Sequence, residues 1–212
     1  MAAVTDANRS NQMSLCEEVI RILGERATHR INFHQGRFRI NQAAYSLVQS
    51  KLQRSEIGVE IDSDMPDRAR YDRNGPTMYL WAGAEVGQIR GDAESKGLIV
   101  HECTHVSTHF SSPRPTDEIE DEAIAFLAQT IYLLGIQGYT FRGSGERGGT
   151  FSQVSHRNRG RPNGRIFHTA QQIVMDHNLM DATSCTPLFD RDIAPLREAI
   201  RDHPDYPSRQ ES

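Results

Sequence analysis

The chain has 212 residues, enough for one well-buried core and too few for two ordinary domains with a linker, so a single domain over residues 1–212 is expected. Hydrophobic residues make up 37% and charged residues 25%, with a mean hydropathy of -0.60, which excludes a disordered chain and a membrane-spanning bundle. The formal net charge is -4 and the pI about 6.1, so no global basic field recruits nucleic acid or anionic lipid, and neither is expected as a partner.

Residues 1–12 are polar and are expected to form a flexible lead, without the apolar stretch of a signal peptide. Cys16, Cys103 and Cys185 are odd in number and include no CxxC pair, so neither a disulfide framework nor a cysteine zinc cluster is readable. The expected location is the cytoplasm, or outside the cell by a route without a cleaved leader.

A capping-box pattern at Ser14 and Glu17 opens the first predicted helix, which ends near Gly24. A second runs over residues 41–52. Residues 57–61 and 76–83 read as short strands that pair. Further helices are predicted over 94–110, over 117–134 with Gly135 as the stop, over 165–178 and over 192–202. The expectation is a helix-rich α+β fold with a short sheet before the third helix and a helical C-terminal half.

Residues 142–165 stand apart, with six arginines against Glu146 alone, and six glycines. This composition predicts a mobile loop of charge +5 on a chain that is otherwise acidic. It reads either as a solvated connection or as a cationic flap beside a site.

The third helix carries Leu98-Ile-Val-His101-Glu102-Cys103-Thr104-His105, an HExxH motif behind an apolar run. Histidines at i and i+4 stack on one helix face, so both imidazoles can grip one tetrahedral ion. Glu102 projects beside them, placed to take a proton from water at the ion. With nine histidines and fourteen glutamates in the chain, chance gives such a motif about 2–3% of the time, so a third ligand is required.

The fourth helix offers one. Its apolar stripe of Ile119, Ala123, Phe126, Leu127, Thr130, Ile131 and Leu134 includes the position of Glu122, and an isolated carboxylate there would be costly to bury. Glu118 lies one turn earlier at the margin and is the alternative ligand. Glu120 and Asp121 are expected to point to water. His105 lies near the end of one helix and Glu122 near the start of the next, each roughly 7–8 Å along its axis, so an antiparallel hairpin levels them.

These residues resemble the zincin metallopeptidases of the gluzincin type, in which a glutamate from a following helix completes HExxH. The likeness covers residues 97–134, and Asp121-Glu122-Ala123-Ile124-Ala125 looks like the glutamate-helix motif of that group. The resemblance implies that His101, His105 and Glu122 bind zinc and that Glu102 is the general base. The thermolysin-like pattern has an aspartate four residues after the ligand glutamate, whereas this chain has Phe126, so the residue orienting a ligand histidine comes from elsewhere. The longer metzincin motif is not met, because Ser111 stands where its last histidine would be. Candidate oxyanion donors are His168, Tyr139 and His156.

The function expected is zinc-dependent hydrolysis of a peptide bond in a protein or peptide, by a narrowly specific protease or an effector-type toxin. The rival reading is a non-catalytic zinc-binding interaction module, its metal closed by a fourth ligand such as His109 or His168.

Overall fold

The computed structural model describes residues 6–65, 69–112, 117–137, 164–181, 183, 185–204 and 206, with side chains from residue 14 onward. Seven helices and six short strands among the described residues make an α+β fold. Helix α1 (Asp6–Leu23) begins eight residues before the expected start at Ser14, because Ala7, Arg9, Gln12 and Met13 favour a helix and nothing in the stretch breaks one. Residues 6–12 are therefore helical rather than a flexible lead. The segment 142–163, which holds nearly all of the arginine-rich stretch, lies outside the described residues, as do Tyr139 and His156.

Two three-stranded sheets flank the helices. In one, β3 (Gly58–Ile61) pairs in parallel with β5 (Thr77–Leu80), and β4 (Arg70–Asp72) pairs antiparallel with the other side of β5. The expected pairing of the two sequence-predicted strands is therefore present, with β4 an addition. The other sheet has the order β2-β1-β6, built from the hairpin β1 (Phe33–Gln35) and β2 (Phe38–Ile40) and a parallel strand β6 (Thr186–Leu188). Gly36 supplies the left-handed turn of that hairpin at φ +54. Among the described residues, strand β6 lies between the last two helices of the chain.

Helix α2 (Gln42–Gln53) is capped by the Asn41 side chain and pins α4 through Tyr45, whose hydroxyl lies 2.8 Å from Thr104 Oγ1. A short α3 (Val86–Gly91) leads into α4 (Ala93–Ser111), where Asp92 accepts from the backbone N–H of Ser95 at 2.9 Å. Helix α5 (Glu118–Ile136) starts on the cap Asp117 and continues through Gly135 rather than stopping there. A Cβ at Gly135 would sit 3.2 Å from that of Ala27, so the glycine serves a close approach, not a helix end.

Helices α4 and α5 pack against each other along their length. Gly97 makes this possible, since a Cβ there would lie 3.0 Å from Leu133 Cδ2. On its other sides α5 meets α6 (Gly164–Asp176) and α7 (Asp190–Arg201), so it is buried almost all round. Leu15, Ile22, Phe33, Ile40, Met78, Val100, Ile124, Ile131, Ile166 and Leu196 belong to one continuous core. No helix among the described residues is long and apolar enough to cross a membrane.

Candidate metal centre

Helical geometry fixes the first three side chains. His101 and His105 rise from successive turns of α4 with ring centroids 4.8 Å apart, and with Glu102 they are buried at 5%, 8% and 6% exposure. One nitrogen from each histidine and one oxygen of Glu102 lie within 4.8 Å of one another. Glu122, on α5, lies outside that group of three but approaches both histidines: its Oε2 is 3.3 Å from His101 Nε2, and its Oε1 is 3.5 Å from His105 Nε2.

Those two separations test the fit of an ion. Ligands about 2.0–2.1 Å from a tetrahedral centre stand roughly 3.3 Å from one another, the length of a tetrahedron edge. The Glu122 contacts, one from each carboxylate oxygen, are close to that length. They are ion-pair approaches, and among the described residues no donor meets the buried Glu122 Oε2 in strict hydrogen-bond geometry. A buried carboxylate oxygen left in that state is costly unless a cation faces it. The donor set of two imidazoles and a carboxylate suits zinc. Glu118, the alternative ligand, is exposed on the first turn of α5.

The outer nitrogens of both histidines are held. His105 Nδ1 lies 2.5 Å from Asp121 Oδ2, and Thr108 donates its hydroxyl to Asp121 Oδ1 at 2.6 Å. Arg73, from the turn after β4, also donates to Asp121. His101 Nδ1 lies 3.1 Å from Gln129 Oε1. When a metal replaces the proton on Nε2, an Nδ1–H donated outward on each ring turns the Nε2 lone pair toward Glu122. The orienting partners that the motif does not supply are thus Asp121 and Gln129. This corrects the expectation for Asp121, which is 3% exposed: the residue faces His105 and Thr108 of α4. Glu120 does not point freely to water either, since Arg197 Nη2 reaches it at 3.2 Å. Phe126 meets the His101 ring edge-on at 4.7 Å.

Burial raises the pKa of Glu102 above the usual carboxylate value, against the pull of His105, His101 and a hydrogen bond from the Tyr71 backbone. Burial acts on Glu122 in the same direction, yet His101, His105 and the Tyr206 side chain outweigh it and hold Glu122 low. His105 is disfavoured as a cation by burial, but Asp121, Glu122 and Glu102 together raise its pKa to about 9.

Tyr206 is the residue that sequence reading missed. Its backbone N–H bonds to His203 O at 3.0 Å, its ring meets Phe126 at 6.4 Å, and its side chain stands near enough to the Glu122 carboxylate to lower its pKa. It lies past the last helix in no motif, so only the fold brings it to the site. His168, by contrast, is exposed on α6. His109 continues the α4 face, but its Nδ1 is engaged by the Tyr71 hydroxyl at 2.7 Å. Among the described residues, neither histidine joins the cluster. No protein-family model, curated protein or solved structure matches this chain.

Proposed function

We propose that this protein is a zinc-dependent peptidase with a zincin-like fold, in which His101, His105 and Glu122 hold the ion and Glu102 carries the proton. The observation that supports this most directly is the pair of 3.3 and 3.5 Å separations between two imidazole nitrogens and one carboxylate whose buried oxygen meets no donor in strict hydrogen-bond geometry among the described residues. The chemistry zinc supplies in such a centre is polarisation of a carbonyl and a lowered pKa for water.

The chain's own groups do the rest. Glu102 stands one residue from His101 with a pKa raised by burial, which suits a carboxylate that takes a proton from water and passes it to the departing amine nitrogen. Asp121 and Gln129 fix the tautomers of the two histidines, so neither ring has to reorganise during the reaction. Tyr206 stands beside Glu122, and its single hydroxyl proton, released from Glu122 when that carboxylate holds the ion, is then available to an oxygen that gains negative charge. The substrate class is a protein or peptide, cut by a narrowly specific protease or an effector-type toxin.

The test is a mass-spectrometric survey of proteins cleaved by the wild type and by Glu102→Gln, with the zinc content of both measured. Products made by the wild type alone, from two proteins equally loaded with zinc, support the reading. Cleavage by both at the same rate sinks it.

A further inference from the structure

Asp121 has three polar neighbours on its two oxygens. His105 Nδ1 and Arg73 Nη2 both meet Oδ2, and Thr108 Oγ1 lies 2.6 Å from Oδ1. The contact with Oδ2 already orients the His105 ring, and Thr108 fixes the other oxygen. Arg73 therefore brings something besides aim. It reaches Asp121 from the turn after β4 with a side chain 33% exposed, so water screens its positive charge only in part.

Three carboxylates gather at His101 and His105. Asp121 and Glu122 pair with the imidazoles, and Glu102 has an oxygen within 4.8 Å of a nitrogen from each ring. They repel one another: burial is the first cause of the raised pKa of Glu102, and the charge of Glu122 adds to it. A divalent ion balances two of the three negative charges, and Arg73 balances the third. The field of Arg73 extends beyond Asp121. Burial lowers the pKa of His109, one turn past His105 on α4, and the charge of Arg73 lowers it further. A fixed positive charge beside a metal opposes binding of the cation and favours binding of an anion to it.

We propose that Arg73, acting through Asp121, sets the charge of the metal centre, so that an ion held there is bound less tightly and attracts anions more strongly than the carboxylates alone would allow. This rests on His101, His105 and Glu122 being the ligands, and not on which bond the protein cuts. Arg73 is a positioning residue, since it meets Asp121, which meets a ligand. Its effect is opposite in sign to that of Asp121: loss of the negative charge loosens the ion, and loss of the positive one tightens it. A fault in folding would loosen it in both cases.

The experiment compares the full-length wild type with Arg73→Met, Arg73→Gln and Arg73→Lys. Zinc dissociation constants are read by competition with a chelating dye. The cobalt-substituted proteins are then titrated with acetohydroxamate, followed by the visible absorption of cobalt. Arg73→Met and Arg73→Gln are expected to bind zinc about three- to tenfold more tightly and acetohydroxamate more weakly by a similar factor. Arg73→Lys keeps the charge and stays near the wild type in both. Arg73→Gln also keeps a donor for Asp121, so a neutral variant remains to be measured where Arg73→Met disturbs the turn. Zinc bound by both neutral variants as weakly as by the wild type, or more weakly, overturns the proposal and leaves the ligand set standing. A wild type that binds no zinc overturns both.

Discussion

His105 is gripped at both ring nitrogens by two adjacent residues of α5: Asp121 lies 2.5 Å from Nδ1, and Glu122 lies 3.5 Å from Nε2. Neighbours on a helix project about 100° apart, so one imidazole inserted between them touches both only where the two helices pack closely. Gly97 on α4 permits that packing near Leu133. The proposed ligand Glu122 and the orienting partner Asp121 are therefore placed by a single helix–helix contact.

Removal of any one of the three proposed ligands leaves an incomplete shell around a divalent ion. His101→Ala, His105→Ala and Glu122→Ala are each expected to lose most of the bound zinc, measured by elemental mass spectrometry on purified protein. Glu118→Ala keeps it, since that side chain is exposed. Full zinc in Glu122→Ala would remove Glu122 from the ligand set.

Asp121→Asn keeps the shape of the side chain but removes the charge that holds His105 in place. Zinc affinity is expected to fall by about 10–100-fold, read by competition with a chelating dye. An unchanged affinity would reduce Asp121 to a packing residue tied to Thr108 and Arg73.

Much of this centre was legible in the sequence. The i, i+4 histidines and a carboxylate on an apolar stripe follow from helix periodicity alone, and both helices lie within one or two residues of their expected bounds, except that α5 runs past Gly135. Asp121 was misassigned because a stripe presumes one buried face, whereas α5 packs against α4 on a second face as well. Gln129 had a readable signal: Glu122, Phe126 and Gln129 recur at four and then three residues, one continuous face. Strands of three residues are too short for a pattern to outweigh their surroundings, although Phe33, Gln35, Phe38 and Ile40 alternate around Gly36 as a hairpin does. Tyr206 carries no local signal, because a loop position is fixed only by the packing of α7 beneath it.

Tyr206→Phe separates donation of a hydrogen bond from ring packing, since the ring that meets Phe126 remains. The variant is expected to keep its zinc and its KM, and to lose about 10²–10³ in kcat if the hydroxyl stabilises developing charge. A kcat equal to that of the wild type would leave Tyr206 as a wall residue.

Glu18 provides a pH-dependent term far from the metal. Its buried side chain accepts from Arg21 Nη2 at 2.6 Å and Arg90 Nε at 2.8 Å. Burial opposes its ionisation, but the two guanidiniums outweigh that and hold its pKa below the usual value of 4.5. A carboxylate with a depressed folded-state pKa contributes its full stability above the unfolded pKa and loses it as pH falls through the folded one. Glu18→Gln is therefore expected to be less stable than wild type by about 2 kcal/mol at neutral pH, a figure reduced for the solvent exposure of both arginines. The gap closes in strong acid. Denaturant titrations at neutral and acid pH check this, and a gap that ignores pH would assign the loss to packing.

Ligands drawn from two different helices make an ion a reversible cross-link as well as a reagent. By mass action, free zinc at a hundred times its dissociation constant adds about 2.7 kcal/mol to the folded state, and a chelator withdraws it. The contact of Gly97 with Leu133 remains when the ion leaves, so the helices stay together while their melting point drops. Such a protein would be most durable where zinc is plentiful and most exposed to proteolysis where zinc is scarce, and its lifetime in a compartment would follow that compartment's metal supply.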